Sequence, residues 1–380
     1  MTLPAPGSAA VVVDRASARR FVDEHVIPRA GEWEREQHIP DPVLDAVAAA
    51  GLWAPFLPER FGGRNQNMVT FGEVHEEVGR GCSSLRSLLT VHSMVSWAVW
   101  RFGTEGQRAD WVPALASGAA LGAFCLTEPG AGSDAAGISS TVVPDGDGWR
   151  LDGHKKWITN GQRADVLLVF ARLDSAVVAL LVPRDADGVH VIPMTDVLGT
   201  RAAMLAGIRF QGVRLPAEAL LGPRGFTSGM VLTGVLDIGR YSVACGSVGI
   251  VQGCLEASAD YSDQRVVAGS RLSERQLIRA HLSDMVTDAR AGRLLCAEAG
   301  RLKDAADPRT VMATWIAKYF ASTAAARHAS SAVQVHGANG FGPEYPVARM
   351  YRDAKVMEII EGSNEIQRET IADEAYREVR

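Results

Sequence analysis

The stretch Thr127-Glu128-Pro129-Gly130-Ala131-Gly132-Ser133-Asp134 separates two kinds of sequence, and the rest of the chain is organised around it. Loops of this composition can turn backbone N–H groups and a hydroxyl toward a phosphate, although most Pro-Gly and Gly-Ser loops are ordinary turns. Upstream, residues 1–118 read as helices. Asp41-Pro42 supplies an N-cap and a first-turn proline, Val43, Leu44, Ala46 and Val47 an apolar face, and Gly51 a stop. Pro58 to Gly63 breaks the chain, and Cys82–Trp100 is a second helical run carrying Leu85, Leu88, Leu89, Val91 and Val95.

Downstream the period changes. Over 119–225, Asp145-Gly146-Asp147-Gly148 and Leu151-Asp152-Gly153-His154 are turn signals, and Val166–Phe170 and Ala176–Val182 are β-prone. A small antiparallel β-domain follows from these. Over 226–380, Met230–Tyr261, Glu274–Lys303 and Arg309–Val335 are apolar at helical spacing and long. With a shorter tail segment they make a four-helix bundle. The expected fold is mainly α with a central β-domain, in three domains.

The 380 residues are 47% hydrophobic and 22% charged, which suits a globular chain with a large core. A net charge of −5 gives no reason to expect nucleic acid or an anionic membrane as partner. The five cysteines are scattered without metal-ligand spacing, as for free thiols in a reducing compartment. The run Ala9–Val13 is too short for a signal peptide, and Trp111–Thr127 is broken by Pro113, Ser117, Gly118 and Gly122. The expected location is the cytoplasm, with no metal site.

Glu361 is the leading candidate for chemistry. It follows Ile359-Ile360 and precedes Gly362, and apolar neighbours raise a carboxylate's pKa and make it a better base. Gly362 allows a tight turn beside a ligand. Trp157 and Thr159, in Trp157-Ile158-Thr159-Asn160-Gly161, put an aromatic face and a hydroxyl close together. Trp157 suits the core or a planar cofactor equally. Gln334-Val335-His336-Gly337-Ala338-Asn339-Gly340 ends a long helix in a Gly-rich turn.

Taken together, Leu126–Asp134, Lys156-Trp157-Ile158-Thr159-Asn160-Gly161, and Arg352-Asp353-Ala354-Lys355 with Ile360-Glu361-Gly362 resemble the acyl-CoA dehydrogenase family from about residue 15 to the C-terminus. The resemblance implies an N-terminal helical domain, a β-barrel and a C-terminal four-helix bundle. It also implies a homo-oligomer, dimer or tetramer, with one FAD per subunit. Glu361 would take the α-proton of an acyl thioester while flavin N5 accepts the β-hydride. The thioester carbonyl would rest on the Glu361 N–H and a flavin hydroxyl. Thr127, Ser133, Trp157, Thr159 and Ser363 would contact the cofactor. Arg265 and Gln334 would reach it from a neighbouring subunit, and Gly337 is a further cofactor-binding position. Some relatives carry the base beside the position of Arg240; Ile238-Gly239 stands there in this chain, leaving Glu361 without a rival. An electron-transfer flavoprotein is the family's usual acceptor.

The chain departs from the family pattern in three places. Val266-Val267-Ala268-Gly269 removes an aromatic partner and a hydroxyl from the adenine side, and Ala338 replaces a second glycine. Ala202, Ala203, Met204 and Leu205 replace polar residues, an expected change in surface packing near the acyl carrier. Counting back from Gly103, the acyl-lining positions fall on Arg86, Ser87, Thr90, Val91 and Met94, with Arg240 and Gly362 near the thioester. Val91 and Met94 would shorten the cavity. Arg86 either turns out to solvent or an acidic neighbour, or points in; if it points in, the acyl group is short and oxygenated. The phrase Cys82–His92 with Leu198–Ala202 also resembles a subgroup that oxidises acyl groups on an acyl carrier protein in polyketide assembly, including the route to hydroxy- and methoxymalonyl extender units. A catabolic short- or branched-chain acyl-CoA dehydrogenase, a flavin monooxygenase on the same scaffold and a non-catalytic binding module stay open as alternatives.

Overall fold

A computed structural model describes residues 12–222 and 228–378. The domain boundary expected at 225 and residues 9–11 of the short apolar run lie outside the described residues. The first helices are α1 (Arg15–Phe21), α2 (Ala30–Glu36), α3 (Asp41–Ala49), α4 (Met68–Gly81), α5 (Ser83–Phe102) and α6 (Glu105–Ser117). The α3 cap differs from the expected one. Val43 N and Leu44 N both donate to Pro40 O, so the helix starts one residue early, with Pro40 as its cap and Pro42 inside the first turn. Asn67 caps α4, its Oδ1 accepting from Thr70 N at 2.8 Å. The long α5 is buried over most of its length, with Leu85, Leu88 and Leu89 toward the N-terminal helices and Met94, Val95, Ala98 and Val99 toward the rest of the molecule.

The strands are β1 (Gly122–Cys125), β2 (Thr141–Asp145), β3 (Gly148–Ile158), β4 (Val166–Leu173), β5 (Ala176–Pro183), β6 (Val189–Pro193) and β7 (Ala206–Leu215). They form one sheet in the order β1-β4-β2-β3-β7-β6, with β5 also on β4. Two expectations are corrected here. The sheet is mixed, because β1 and β2 both pair parallel to β4, at Gly122–Cys125 with Val166–Val169 and at Thr141 with Arg172. It is also a curled half-barrel with free edges, because β6 pairs only with β7 and β5 only with β4 among the named strands. Strand β4 is buried on both faces. Val166, Leu168 and Phe170 face the core shared with α5 and the later helices, while Leu167, Val169 and Ala171 face the inside of the curl. Burial on both faces accounts for its uninterrupted apolar sequence.

Asp145-Gly146-Asp147-Gly148 is the hairpin turn between β2 and β3. Leu151–His154 is not a turn: it lies within β3, where the register on β7 shifts between Leu151 and Gly153 and Asp152 Oδ1 accepts from Gly212 N. Ala202, Ala203 and Met204 are not surface residues either. Each is about 1% exposed, packed against the N-terminal helices, where a polar side chain would be stranded.

The last part comprises α7 (Ser228–Gln264), a hairpin of β8 (Val266–Val267) and β9 (Ser270–Arg271), α8 (Gln276–Asp304), α9 (Thr310–His336), α10 (Val347–Met357) and α11 (Asn364–Glu378). The tail is thus two helices: α10 packs on α7 and α9, and α11 on α9. Small residues line the contacts. A Cβ at Gly249 would strike the α4 backbone at Glu76, and Ala325, Ala329 and Ala332 are fully buried on α9. Among the described residues, no helix is long and apolar enough to cross a membrane and no cluster of side chains could hold a metal ion.

Candidate active site

Glu361 stands in the turn after α10 with φ +57°, followed by Gly362 at +91°. Two successive left-handed residues swing the carboxyl back over α7. There a Cβ on Gly239 would collide with Glu361 Oε2 and lie 2.9 Å from Met94 Sδ. Oε2 is buried with no hydrogen-bond partner, although the residue as a whole keeps some exposed surface. Burial pushes its pKa up to about 7, against the pull of Arg240, Arg86 and Lys318. The expected rise is therefore present, but the expected cause is only part of it: Ile359 is 58% exposed and faces away. Among the described residues the Glu361 N–H has no acceptor, so it is free to donate to a bound carbonyl.

Helices α5 and α7 form the walls. Met94 faces Gly239, Thr90 Oγ1 lies 2.5 Å from Ser242 Oγ, and Arg86 lies over Gly246, where a Cβ would come within 2.5 Å of Arg86 Cδ. From Gly239 to Gly246 is about 10 Å along α7. Arg86 is 0% exposed and packed against α7 at Gly246, so it does not turn out to solvent. Its NH1 donates to Thr90 Oγ1 and its NH2 to Ser87 Oγ, both at 2.9 Å, and NH2 also meets Met357 Sδ at 3.2 Å. Its Nε has no partner, and among the described residues no carboxylate lies within ion-pair distance. Burial pulls its pKa down to about 10, with Glu361 and Asp353 opposing. A hydroxyl chain continues from Thr90 through Ser242 to His75 Nδ1 at 2.8 Å. Ser87, Thr90 and Val91 are buried on the same helix, and Arg240 is 9% exposed, its Nε donating to Glu361 O at 3.1 Å and its guanidinium 4.2 Å above the Trp315 ring.

The Gly-rich loop is anchored from within. Glu128 accepts from the backbone N–H and hydroxyl of both Ser139 and Ser140 and from Lys155 Nζ at 2.7 Å. Burial alone would raise the Glu128 pKa, but these donors bring it down to about 2. Lys155 also donates to Leu126 O, and Lys156 N to Thr127 O, so Thr127 is fixed from both sides. The outer part of the loop is open: Ser133 is exposed, and a Cβ on Gly130 or Gly132 would meet nothing within 4 Å. Trp157 is held at φ +63° with 51% of its surface exposed, beside half-buried Thr159. An exposed indole in a left-handed conformation is not a core residue. An open aromatic face beside hydroxyls and an exposed, uncrowded Gly-rich loop fits a planar ring with a phosphate tail.

Arg265, Gln334 and Gly337 lie elsewhere. All three are exposed at the far end of the bundle, where Tyr261 stacks on His336 and accepts from Asn339 Nδ2. Arg265 is about 37 Å along α7 from the level of Glu361. The structure does not bring these residues to Thr127 or Trp157 within one chain. Ser363 is half-buried beside Glu361.

Sequence reasoning passed over Lys318, Gln367, Asn364, Ser242, His75 and the Glu128–Lys155 pair. For Lys318 a signal existed: it is a charge inside the otherwise apolar run Ile316-Ala317-Lys318-Tyr319-Phe320. His75 gave none.

Family models for the N-terminal, middle and C-terminal domains of acyl-CoA dehydrogenases match residues 14–119, 123–213 and 224–376. The chain belongs to the acyl-CoA dehydrogenase family. It is an oxidoreductase acting on acyl thioesters, and its cofactor is FAD. It is 35% identical to the mitochondrial short-chain specific acyl-CoA dehydrogenase of Bos taurus, over 94% of this chain and 88% of that one. It is 33% identical to the glutaryl-CoA dehydrogenase of Desulfococcus multivorans, over 93% of each. Among solved structures it superposes with a TM-score of 0.87 on FkbI, described as serving biosynthesis of the methoxymalonyl extender unit of a polyketide immunosuppressant, at 36% identity and covering 96% of this chain and 99% of that one.

Proposed function

We propose that the chain dehydrogenates a short, oxygenated acyl thioester, carried on an acyl carrier protein in the making of a polyketide extender unit such as hydroxy- or methoxymalonyl. The observation that carries this reading is Arg86: a fully buried cation with its Nε unpartnered, packed against α7 about two turns from Gly239, at a position we read as lining the acyl group. A hydrocarbon tail would leave that charge uncompensated, whereas a hydroxyl or carboxylate on the acyl group would satisfy it. In this reading the acyl group lies between Glu361 and Arg86, about 10 Å apart along α7, with Val91 and Met94 beside it on α5. The similarity to FkbI and to a glutaryl-CoA dehydrogenase, whose substrate is a dicarboxylic acyl thioester by name, supports the same reading.

In this reading Glu361 removes the α-proton. Its raised pKa matches a base working near neutral pH, and the Glu361 N–H polarises the thioester carbonyl, with Arg240 and Gly362 shaping the thioester end. Thr127, Ser133, Trp157, Thr159 and Ser363 hold FAD, and Arg265, Gln334 and Gly337 of a second copy complete its far end, which makes the working form a homo-oligomer. Bound FAD supplies the acceptor for the β-hydride. An electron-transfer flavoprotein then takes the electrons, in the cytoplasm. The second reading, a catabolic short-chain acyl-CoA dehydrogenase, is favoured by the bovine relative.

The deciding experiment is anaerobic bleaching of the bound flavin by short plain, hydroxylated and carboxylated acyl groups, each on CoA and on a carrier protein. Bleaching by oxygenated groups on the carrier alone is the expected result. Rapid bleaching by butyryl-CoA, with no response to any oxygenated group, would overturn the reading.

A further inference from the structure

The turn that carries Glu361 does not hold itself. A non-glycine residue at φ +57° is strained by about 1–2 kcal/mol, and such conformations persist only where the surroundings over-determine them. Here the surroundings act on the turn's carbonyls. Gly362 O accepts from Lys318 Nζ at 2.7 Å and from Gln367 Nε2 at 3.1 Å. Glu361 O accepts from Arg240 Nε and from Gln367 Nε2 at 3.3 Å. Glu358 O accepts from Asn364 N at 2.9 Å and from Lys318 Nζ at 3.5 Å. Lys318 also donates to Asn364 Oδ1 at 3.0 Å, and that oxygen is shared with Ser322 Oγ. The ammonium thus spends its three protons on two carbonyls of the catalytic turn and on the side chain that opens α11.

Lys318 is 0% exposed and, among the described residues, has no carboxylate within ion-pair distance. A buried cation without a counter-ion weakens a scaffold, and an apolar residue of similar volume would serve packing better. We propose that Lys318 is the positioning residue of Glu361: it holds the left-handed turn closed and places a fixed positive charge behind the base. This rests on Glu361 being the base. The charged groups facing Lys318 are Arg240 from α7, Glu358 and Glu361 from the turn and Glu365 from α11; burial lowers its pKa to about 8, Glu361, Glu358 and Glu365 hold it up, and Arg240 presses it down. In return, Lys318 is one of three cations that keep the Glu361 pKa from rising further.

The test is the pH profile of kcat/KM in Lys318→Met and Lys318→Gln, measured on the FAD-loaded enzyme, with the flavin spectrum recorded for each. In Lys318→Met, kcat falls about 100-fold, the size of a mispositioned base, while flavin content is unchanged. The acidic limb moves up by about one unit, because a positive charge near Glu361 is gone. Lys318→Gln still donates to Gly362 O, so it recovers about tenfold of kcat but keeps the raised limb. If both variants bind FAD and keep kcat and the acidic limb of the parent, the proposal is wrong whatever happens to their melting temperatures. If Lys318→Met does not fold, Lys318→Gln decides alone through its limb. Glu361→Gln is the control: normal turnover there would remove Glu361 as base and overturn the function, a different failure from an unchanged limb in the Lys318 variants.

Discussion

Arg80 and Arg86 lie six residues apart, one at the end of α4 and the other at the start of α5, and both are buried, at 3% and 0% exposure. Arg80 is surrounded by carboxylates: its NH2 meets Asp23 Oδ1 at 2.5 Å, its Nε Glu77 Oε2 at 3.0 Å and its NH1 Glu256 Oε2 at 3.0 Å. The network extends through Arg15, Arg19, Glu76 and Arg293 and ties α1, α4, α7 and α8 together. Arg86 has two hydroxyls and a thioether. Burial works against both charges; for Arg80 the surrounding carboxylates outweigh it and its pKa is raised, whereas that of Arg86 falls. The contrast separates two uses of charge. A cation whose donors are all met by carboxylates belongs to the scaffold, while one left with a free donor in reach of a buried carboxylate is the one we propose to meet the acyl group.

The comparison can be broken or sharpened in order of effect. Glu361→Gln, on the uncompensated side, should cost about 10³-fold or more in turnover without lowering stability, as judged by stopped-flow flavin reduction and thermal melts. Comparable losses in both would mean that this side is scaffold too. Arg80→Ala should do the reverse, costing about 1.5–3 kcal/mol in denaturant melts because buried Glu77 loses its buried partner and keeps only the half-exposed Arg15 and Arg19, with kcat per bound flavin preserved. Arg86→Met should leave stability equal or higher, and shift preference from oxygenated to plain acyl thioesters by about 100-fold in kcat/KM. An unchanged preference would make Arg86 a structural residue after all.

The smallest effect is on pH-dependent stability. Glu361 holds its proton more tightly folded, at about 7, than at the usual 4.5, so from about 4.5 to about 7 the folded state binds more protons. Its contribution therefore makes stability fall as pH rises through that window, and Glu361→Gln should flatten the slope. Asp353 on α10, which burial lifts to about 6, contributes with the same sign, so part of the slope should survive the substitution.

Features encoded locally were legible in the sequence. The long helices, the Asp145–Gly148 hairpin and the Gly-rich loop depend on residues close in the chain. Glu361 was legible as a candidate because its neighbours and its turn are adjacent to it. What failed depends on distant partners. The inward direction of Arg86 requires the bare backbone of Gly246 on another helix, and the parallel pairing of β1 with β4 joins segments some forty residues apart. Leu151–His154 carries turn residues, yet its bulge is set by Gly212 on β7. Lys318 stands out as a charge in an apolar run, but what it holds is the carbonyl of Gly362, 44 residues later.

Strand β4 has a consequence for how the protein is made. On one edge it pairs with β5; on the other, β1 and then β2 share it end to end, at Val166–Val169 and at Arg172. The Gly-rich loop is the chain between β1 and β2, so both of its ends are tied to a strand synthesised after it. A nascent chain that stops short of Leu173 can hold the inner part of the loop through Glu128 with Ser139, Ser140 and Lys155 and through Lys156 with Thr127, but it lacks the strand that fixes β1 relative to β2. The loop's inner anchors are thus made before its outer frame, and the frame is complete only when β4 arrives.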